Sequence, residues 1–203
     1  MPLAPPVAAL LEEGRDRALS YAAYRRLVAE SIDGAPLYEK ESQQHFTRLN
    51  HQRMSRLDKT AKLDEAAAAA VVYSRPTLLL VLTEGWCGDA AHALPVLNLL
   101  AERIDNLELG ILLRDEHPEL MDAFLTGGSR SIPKVIVADA ESLQVRGTWG
   151  PRPVPAQAIF AAYRADPDID YDTYQLELQK WYNRDRSVHI QRELLEVLRR
   201  SAG

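Results

Sequence analysis

The chain has 203 residues, 46% apolar and 26% charged, with a net charge of −5 at pH 7. That length carries one sizeable hydrophobic core and leaves a second domain optional. The acidic balance argues against broad binding to nucleic acid or anionic membranes, and a single cysteine excludes an internal disulfide framework and suits a reducing compartment.

The chain starts Met1-Pro2-Leu3-Ala4-Pro5-Pro6, without a basic start and a long apolar core. It does not read as a signal peptide, and no apolar run approaches the length of a membrane span, so the expected location is the cytoplasm. Pro5-Pro6 ends a short lead. Val7, Leu10, Leu11, Ala18, Tyr21 and Leu27 are spaced for one or two amphipathic helices, with Gly14 a weak point. Asp33-Gly34-Ala35-Pro36 is a turn.

The pattern is helical again from Tyr38 to Val72, with Phe46, Leu49, Arg53, Leu57 and Ala61 near one face. This stretch carries His45, Arg48, His51, Arg53, Arg56, Lys59 and Lys62. A solvated basic face is the simpler reading, and a face for an anion or a thiol cofactor the sharper one. His45 and His51 lack metal-site spacing on one helical face and no second cysteine supports zinc, so no metal is expected. Ser74-Arg75-Pro76 stops the helix.

Leu78 to Leu82 is a continuous apolar run, the pattern of a strand buried on both faces. After Glu84-Gly85 an alanine- and leucine-rich helical segment begins just past Cys87. Cys87 therefore falls at a strand's carboxyl edge, where open α/β sheets place ligand sites. The free N–H groups and the macrodipole of the helix start predict a lowered thiol pKa. The plainer alternative is a small buried hydrophobe. Asp89 favours the helix start, and its charge opposes a thiolate. His92, three residues on, is placed to pair with Asp89, although a surface histidine with no role is commoner. Trp86 reads as a packing lid over the site more readily than as a stacking platform.

Leu107 to Leu113 is a second strand, parallel to the first, with the helix as crossover. Pro118 opens a short helix through Phe124, and Gly127-Gly128-Ser129 is a loop. Val135 to Ala138 and Leu143 to Trp149 form a hairpin about Asp139-Ala140-Glu141-Ser142. Pro155 to Tyr163 is a closing helix. From Asp170 onward one or two helices follow, with an apolar side from Leu176, Leu178, Trp181, Tyr182, Ile190, Leu194 and Leu198 and a break between Asn183 and Ser187. This tail is expected to pack on the rest of the chain, with a dimer surface as the alternative, so monomer and homodimer both stay open.

Trp86-Cys87-Gly88, Pro95 eight residues beyond the cysteine, and Ser131-Ile132-Pro133-Lys134-Val135-Ile136-Val137 together resemble the thioredoxin-like superfamily. The likeness covers roughly Thr77 to Arg164. It implies an α/β fold with a central mixed sheet of about four strands flanked by helices. On that reading residues 1–75 are a helical N-terminal extension, 76–165 the core and 166–203 a C-terminal helical extension packed on it. The resemblance makes Cys87 the nucleophile and Trp86, Gly88, Asp89, Ile132 and Pro133 its binding surface, with Pro133 cis and facing the sulfur. Such an extended edge would pair with a peptide.

Three departures qualify this. Ala90 stands where thioredoxins carry the second cysteine, Asp89 where they carry the turn proline, and Val81 where they bury an acid. One thiol can cycle only through a mixed disulfide with another molecule. The first reading is therefore a monothiol exchanging with a protein or low-molecular-weight disulfide such as glutathione, and with no other cofactor. The second is a redox-inactive binding module using the Trp86/Pro133 groove. The Cys-Gly-Phe-Ser motif of single-cysteine glutaredoxins is absent, and a peroxidase-like thiol lacks identifiable Thr and Arg partners.

Overall fold

The computed structural model describes residues 6–202, and the Met1–Pro5 part of the lead lies outside them. Helices α1 (Val7–Arg17) and α2 (Tyr21–Asp33) are separate, the second started by Ser20, whose Oγ accepts from the Ala23 N–H. Gly14 does not weaken α1. It is buried against the sheet, and a Cβ there would meet Leu80, Leu112 and Leu120 side chains at 3.0–3.3 Å, so the glycine lets the helix approach.

α3 (Glu41–Thr60) and α4 (Glu65–Ala69) are divided at residues 61–64, where Asp64 caps α4 through the Ala67 N–H. The buried stripe of α3 is Thr47, Asn50, Met54 and Leu57 rather than one through Phe46, Leu49 and Arg53. Two of those four are polar, so counting apolar residues misplaces the face. Asn50 earns its burial by donating Nδ2–H to the Gly85 carbonyl at 3.0 Å.

β1 (Thr77–Thr83) is buried along its whole length, as its apolar run predicts. α5 (Gly88–Arg103), with Pro95 inside it, carries the chain across to β2 (Leu107–Leu113), which pairs parallel with β1 from Thr77↔Leu107 to Thr83↔Leu113. A single bridge at Leu19 exchanges N–H···O bonds with Ile111 at 2.8 Å both ways. It occupies the outer edge of β2, where exposed backbone groups would otherwise invite pairing.

After α6 (Pro118–Ala123), β3 (Lys134–Asp139) returns antiparallel to β1 and pairs antiparallel with β4 (Val145–Trp149). The sheet order is β2-β1-β3-β4. Asp139 turns the hairpin by accepting N–H bonds from Glu141 and Ser142 and pairs with Arg146. α7 (Val154–Ala165) follows.

The tail forms α8 (Tyr171–Asp185) and α9 (Val188–Ser201), broken at Arg186 and Ser187, both left-handed. α8 lies along α7, and α9 lies on β4 and α5. Gln191 ties α9 back to residues 62 and 64 of the N-terminal part. This is an α/β thioredoxin-like fold, a four-stranded mixed sheet between helices. No helix among the described residues is long and apolar enough to cross a membrane.

Candidate functional site

The turn between β1 and α5 is braced from below by Glu84, which is 1% exposed. Its carboxylate accepts the Tyr38 Oη–H and the Asp115 N–H, both at 2.8 Å, while Tyr38 Oη accepts the Gly85 N–H at 2.6 Å. Burial pushes the Glu84 carboxyl above its ordinary range. The Cys87 N–H donates to the Glu84 carbonyl at 3.0 Å, which closes the turn and sets Cys87 as the N-cap residue of α5.

The Ile132–Pro133 peptide is cis, and the Cys87 thiol donates to the Ile132 carbonyl at 3.3 Å. The carbonyl that precedes the cis proline therefore sits on the sulfur. The expected lowering of the thiol pKa is overturned. Cys87 is 7% exposed, and burial, followed by the neighbouring Asp89 charge, pushes the thiol up to about 12. The N–H groups of Ala90 and Asp89 and the Arg152 guanidinium act the other way but are outweighed. Desolvation of a sulfur anion exceeds what one helix start returns.

Beside the sulfur lies a cavity of about 330 Å³. Trp86, Cys87, Gly88 and Asp89 form one wall and Ser131 and Ile132 another. Phe46 and Arg53 of α3, Phe160 of α7, and Tyr171, Tyr174, Gln175 and Leu178 of α8 close the remaining sides. Arg114, Arg130 and Arg152 also reach it. Trp86 is half-buried, with the Arg114 guanidinium 5.1 Å from its ring centroid, so it serves as a wall and a cation platform together.

A family model described as thioredoxin matches residues 37–164, well over half the chain. The chain belongs to the thioredoxin family. Two solved structures share its fold. One is a protein of unknown function from Pseudomonas aeruginosa, 21% identical over 92% of this chain and 95% of that one, with a TM-score of 0.58. The other is an HIV epitope-scaffold, 20% identical over 92% and 96%, with a TM-score of 0.56. No curated protein matches.

Within this thioredoxin-family chain, Asp89 is neither solvated nor paired with His92. It is 7% exposed, bound to Arg152 at 2.7 Å, and accepts the Tyr182 Oη–H at 2.6 Å. The position that loses the turn proline has become an anchor for α7's approach and for α8. His92 is 2% exposed, stacks on the Tyr182 ring with centroids 4.0 Å apart, and lies 3.4 Å from Gln179 Oε1. Burial drives its pKa down to about 3, so it is neutral and lends the thiol no charge.

Stability should respond. An unfolded chain protonates His92 below pH 6.5 and the folded chain does not, so stability falls on acidification from 6.5 towards 3. By pH 5 this amounts to about 2 kcal/mol. Burial lowers His51 and His117 as well, with the same sign. Urea unfolding at pH 7 and pH 5 should show this loss, reduced in His92→Gln.

The structure brings Trp86, Cys87, Gly88, Asp89 and Ile132 onto one cavity, whereas Pro133, joined to Ile132 by the cis peptide, does not line it. Sequence reasoning missed Arg114, Arg130 and Arg152; it named Arg53 only within a basic stretch whose sharper reading was an anion-binding face, and Tyr182 only as part of the tail's apolar side. Arg114 had a usable signal, since it directly follows β2 at the carboxyl edge of the sheet. The basic stretch is solvated at His45, Arg48, Arg56 and Lys59 of α3 and at Lys62 beyond it, whereas His51 is half-buried and Arg53 lines the cavity. Among the described residues no group of three or more His, Cys, Asp or Glu is arranged to hold a metal ion.

Proposed function

We propose that this chain is a thioredoxin-fold monothiol that exchanges with a low-molecular-weight disulfide at Cys87. The observation that carries the reading is that Cys87 lines a cavity of about 330 Å³, with its thiol held by the Ile132 carbonyl. A cavity of that size suits a small molecule. In the reaction the Cys87 thiol loses its proton, and its sulfur attacks one sulfur of the disulfide. A new S–S bond forms as the old one breaks and a small thiolate leaves. A second small thiol then attacks the mixed disulfide and releases Cys87.

Incubation with oxidised glutathione and peptide mapping tests this. One glutathionyl group should appear on Cys87, be removed by reduced glutathione, and be absent in Cys87→Ser. Because the thiol pKa is pushed up to about 12, the rate should climb about tenfold per pH unit from pH 7 to 10 without a plateau. A plateau near pH 7 would contradict the account of burial.

A second reading draws on that same raised pKa. A thiol held protonated and bonded to a carbonyl suits a binding site that makes no bond to its ligand. Unchanged ligand binding in Cys87→Ser, with no adduct in the wild-type chain, would favour it.

A further inference from the structure

The cavity's electrical character runs against that of the whole chain. The protein carries a net charge of −5, yet four guanidinium groups and one carboxylate line this space. The carboxylate, Asp89, is already bound by Arg152 and Tyr182. Arg114 pairs with Asp115, and Arg130 grips Asp122 through two 2.6 Å bonds, both acids lying outside the cavity wall. Arg53 differs. Among the described residues it forms no ion pair, and its Nη1 donates only to the neutral Asn50 Oδ1 at 2.9 Å.

Its position is set by neighbours. Asn50 is itself fixed to the Gly85 carbonyl, which steadies Arg53 over the β1–α5 turn. A Cβ on Gly88 would sit 3.4 Å from Arg53 Nη1, so the guanidinium stands against the residue next to Cys87. A half-buried cation with no ion pair of its own, which feels only the already-paired Asp89 carboxylate and stands against Gly88 on the cavity wall, leaves N–H donors for an anion. Aromatic faces of Trp86, Phe160, Tyr171 and Tyr174 supply the apolar remainder of the walls.

We propose that this cavity selects a small ligand carrying two or more carboxylates, with Arg53 as the inner anion contact and Arg130, whose exposed pairing with Asp122 a ligand carboxylate can share, as an outer one. This deepens the exchange reading by naming the charge of the partner molecule, and rests on that reading for the choice of a glutathione-derived probe. A neutral disulfide would leave Arg53 without a direct ion pair.

The test uses S-methylglutathione, a thioether that cannot exchange, titrated into the full chain by calorimetry. Binding is expected in the wild type and in Cys87→Ser, weakening as salt rises. Arg53→Gln should weaken it about tenfold or more, the scale of one charge-assisted hydrogen bond. Arg130→Gln, whose side chain is half exposed and readily replaced, should weaken it less but measurably. The dimethyl ester of the probe should bind at least tenfold more weakly than the acid. Equal affinity for acid and ester, no binding of the acid at millimolar concentration, or indifference to both arginine variants would overturn the inference. Because the probe has no reactive sulfur, these outcomes are independent of whether Cys87 exchanges. An adduct with oxidised glutathione and arginine-independent binding would sink the anion site alone.

Discussion

Gly150→Ala is expected to cost about 3–5 kcal/mol of stability and to disturb the cavity at the same time. Gly150 has φ +113°, a region that L side chains rarely adopt. A Cβ there would lie well inside contact with the Pro133 carbonyl oxygen and 3.2 Å from its carbon. The obstacle is backbone on β3's approach, which cannot rotate aside as a side chain would. Trp149 is paired with Val135 in the sheet, so relief by moving the β4 end would break that register. Pushing Pro133 instead shifts the Ile132 carbonyl that holds the Cys87 thiol. Chemical denaturation should show a large fall in midpoint, and any folded fraction should show altered thiol reactivity. An unfolding free energy within about 0.5 kcal/mol of wild type would mean that the close packing of this corner is wrong.

Asp89→Ala should produce the other large loss, again about 3–5 kcal/mol, because it leaves a mostly buried Arg152 without its counter-charge and Tyr182 without its acceptor. For a chain of this size that is a drop of roughly 6–20 °C in melting temperature. The His92–Tyr182 stack depends on the same anchor. Reactivity should move in the opposite direction. The Asp89 charge is the second cause of the raised Cys87 pKa, after burial. Asp89→Asn, which keeps the volume and one acceptor, should therefore alkylate faster than wild type at pH 8 while unfolding at lower denaturant. Loss of stability with no gain in thiol reactivity would show that burial alone sets the pKa.

Much of the architecture was legible because it is written locally. A seven-residue strand buried on both faces, a helix with proline at its middle, and Ile132-Pro133 before an apolar strand are all contiguous patterns. The break between α8 and α9 fell within the polar stretch that announced it. The chemistry of the site was written non-locally. Asp89 meets Arg152 and Tyr182, 63 and 93 residues away, and no spacing rule connects them. The thiol pKa was misjudged for the same reason. The helix start that lowers it is visible in sequence, whereas the α3 and α8 walls that bury it are not. Arg53 was named only as one member of a basic stretch, because nothing in its spacing separates the one arginine on the cavity from the exposed Arg48, Arg56 and Lys59 of the same helix.

The central claim is that a small disulfide reaches Cys87 in the folded protein. The most direct measurement is the rate of Cys87 modification by oxidised glutathione under native conditions, followed by intact mass as the disulfide concentration is raised. The account predicts a rate that rises with concentration towards saturation as the cavity fills, and that slows in Arg53→Gln. A native chain that gains no adduct, or one whose rate is the same at every disulfide concentration because the sulfur is reached only on unfolding, would contradict it.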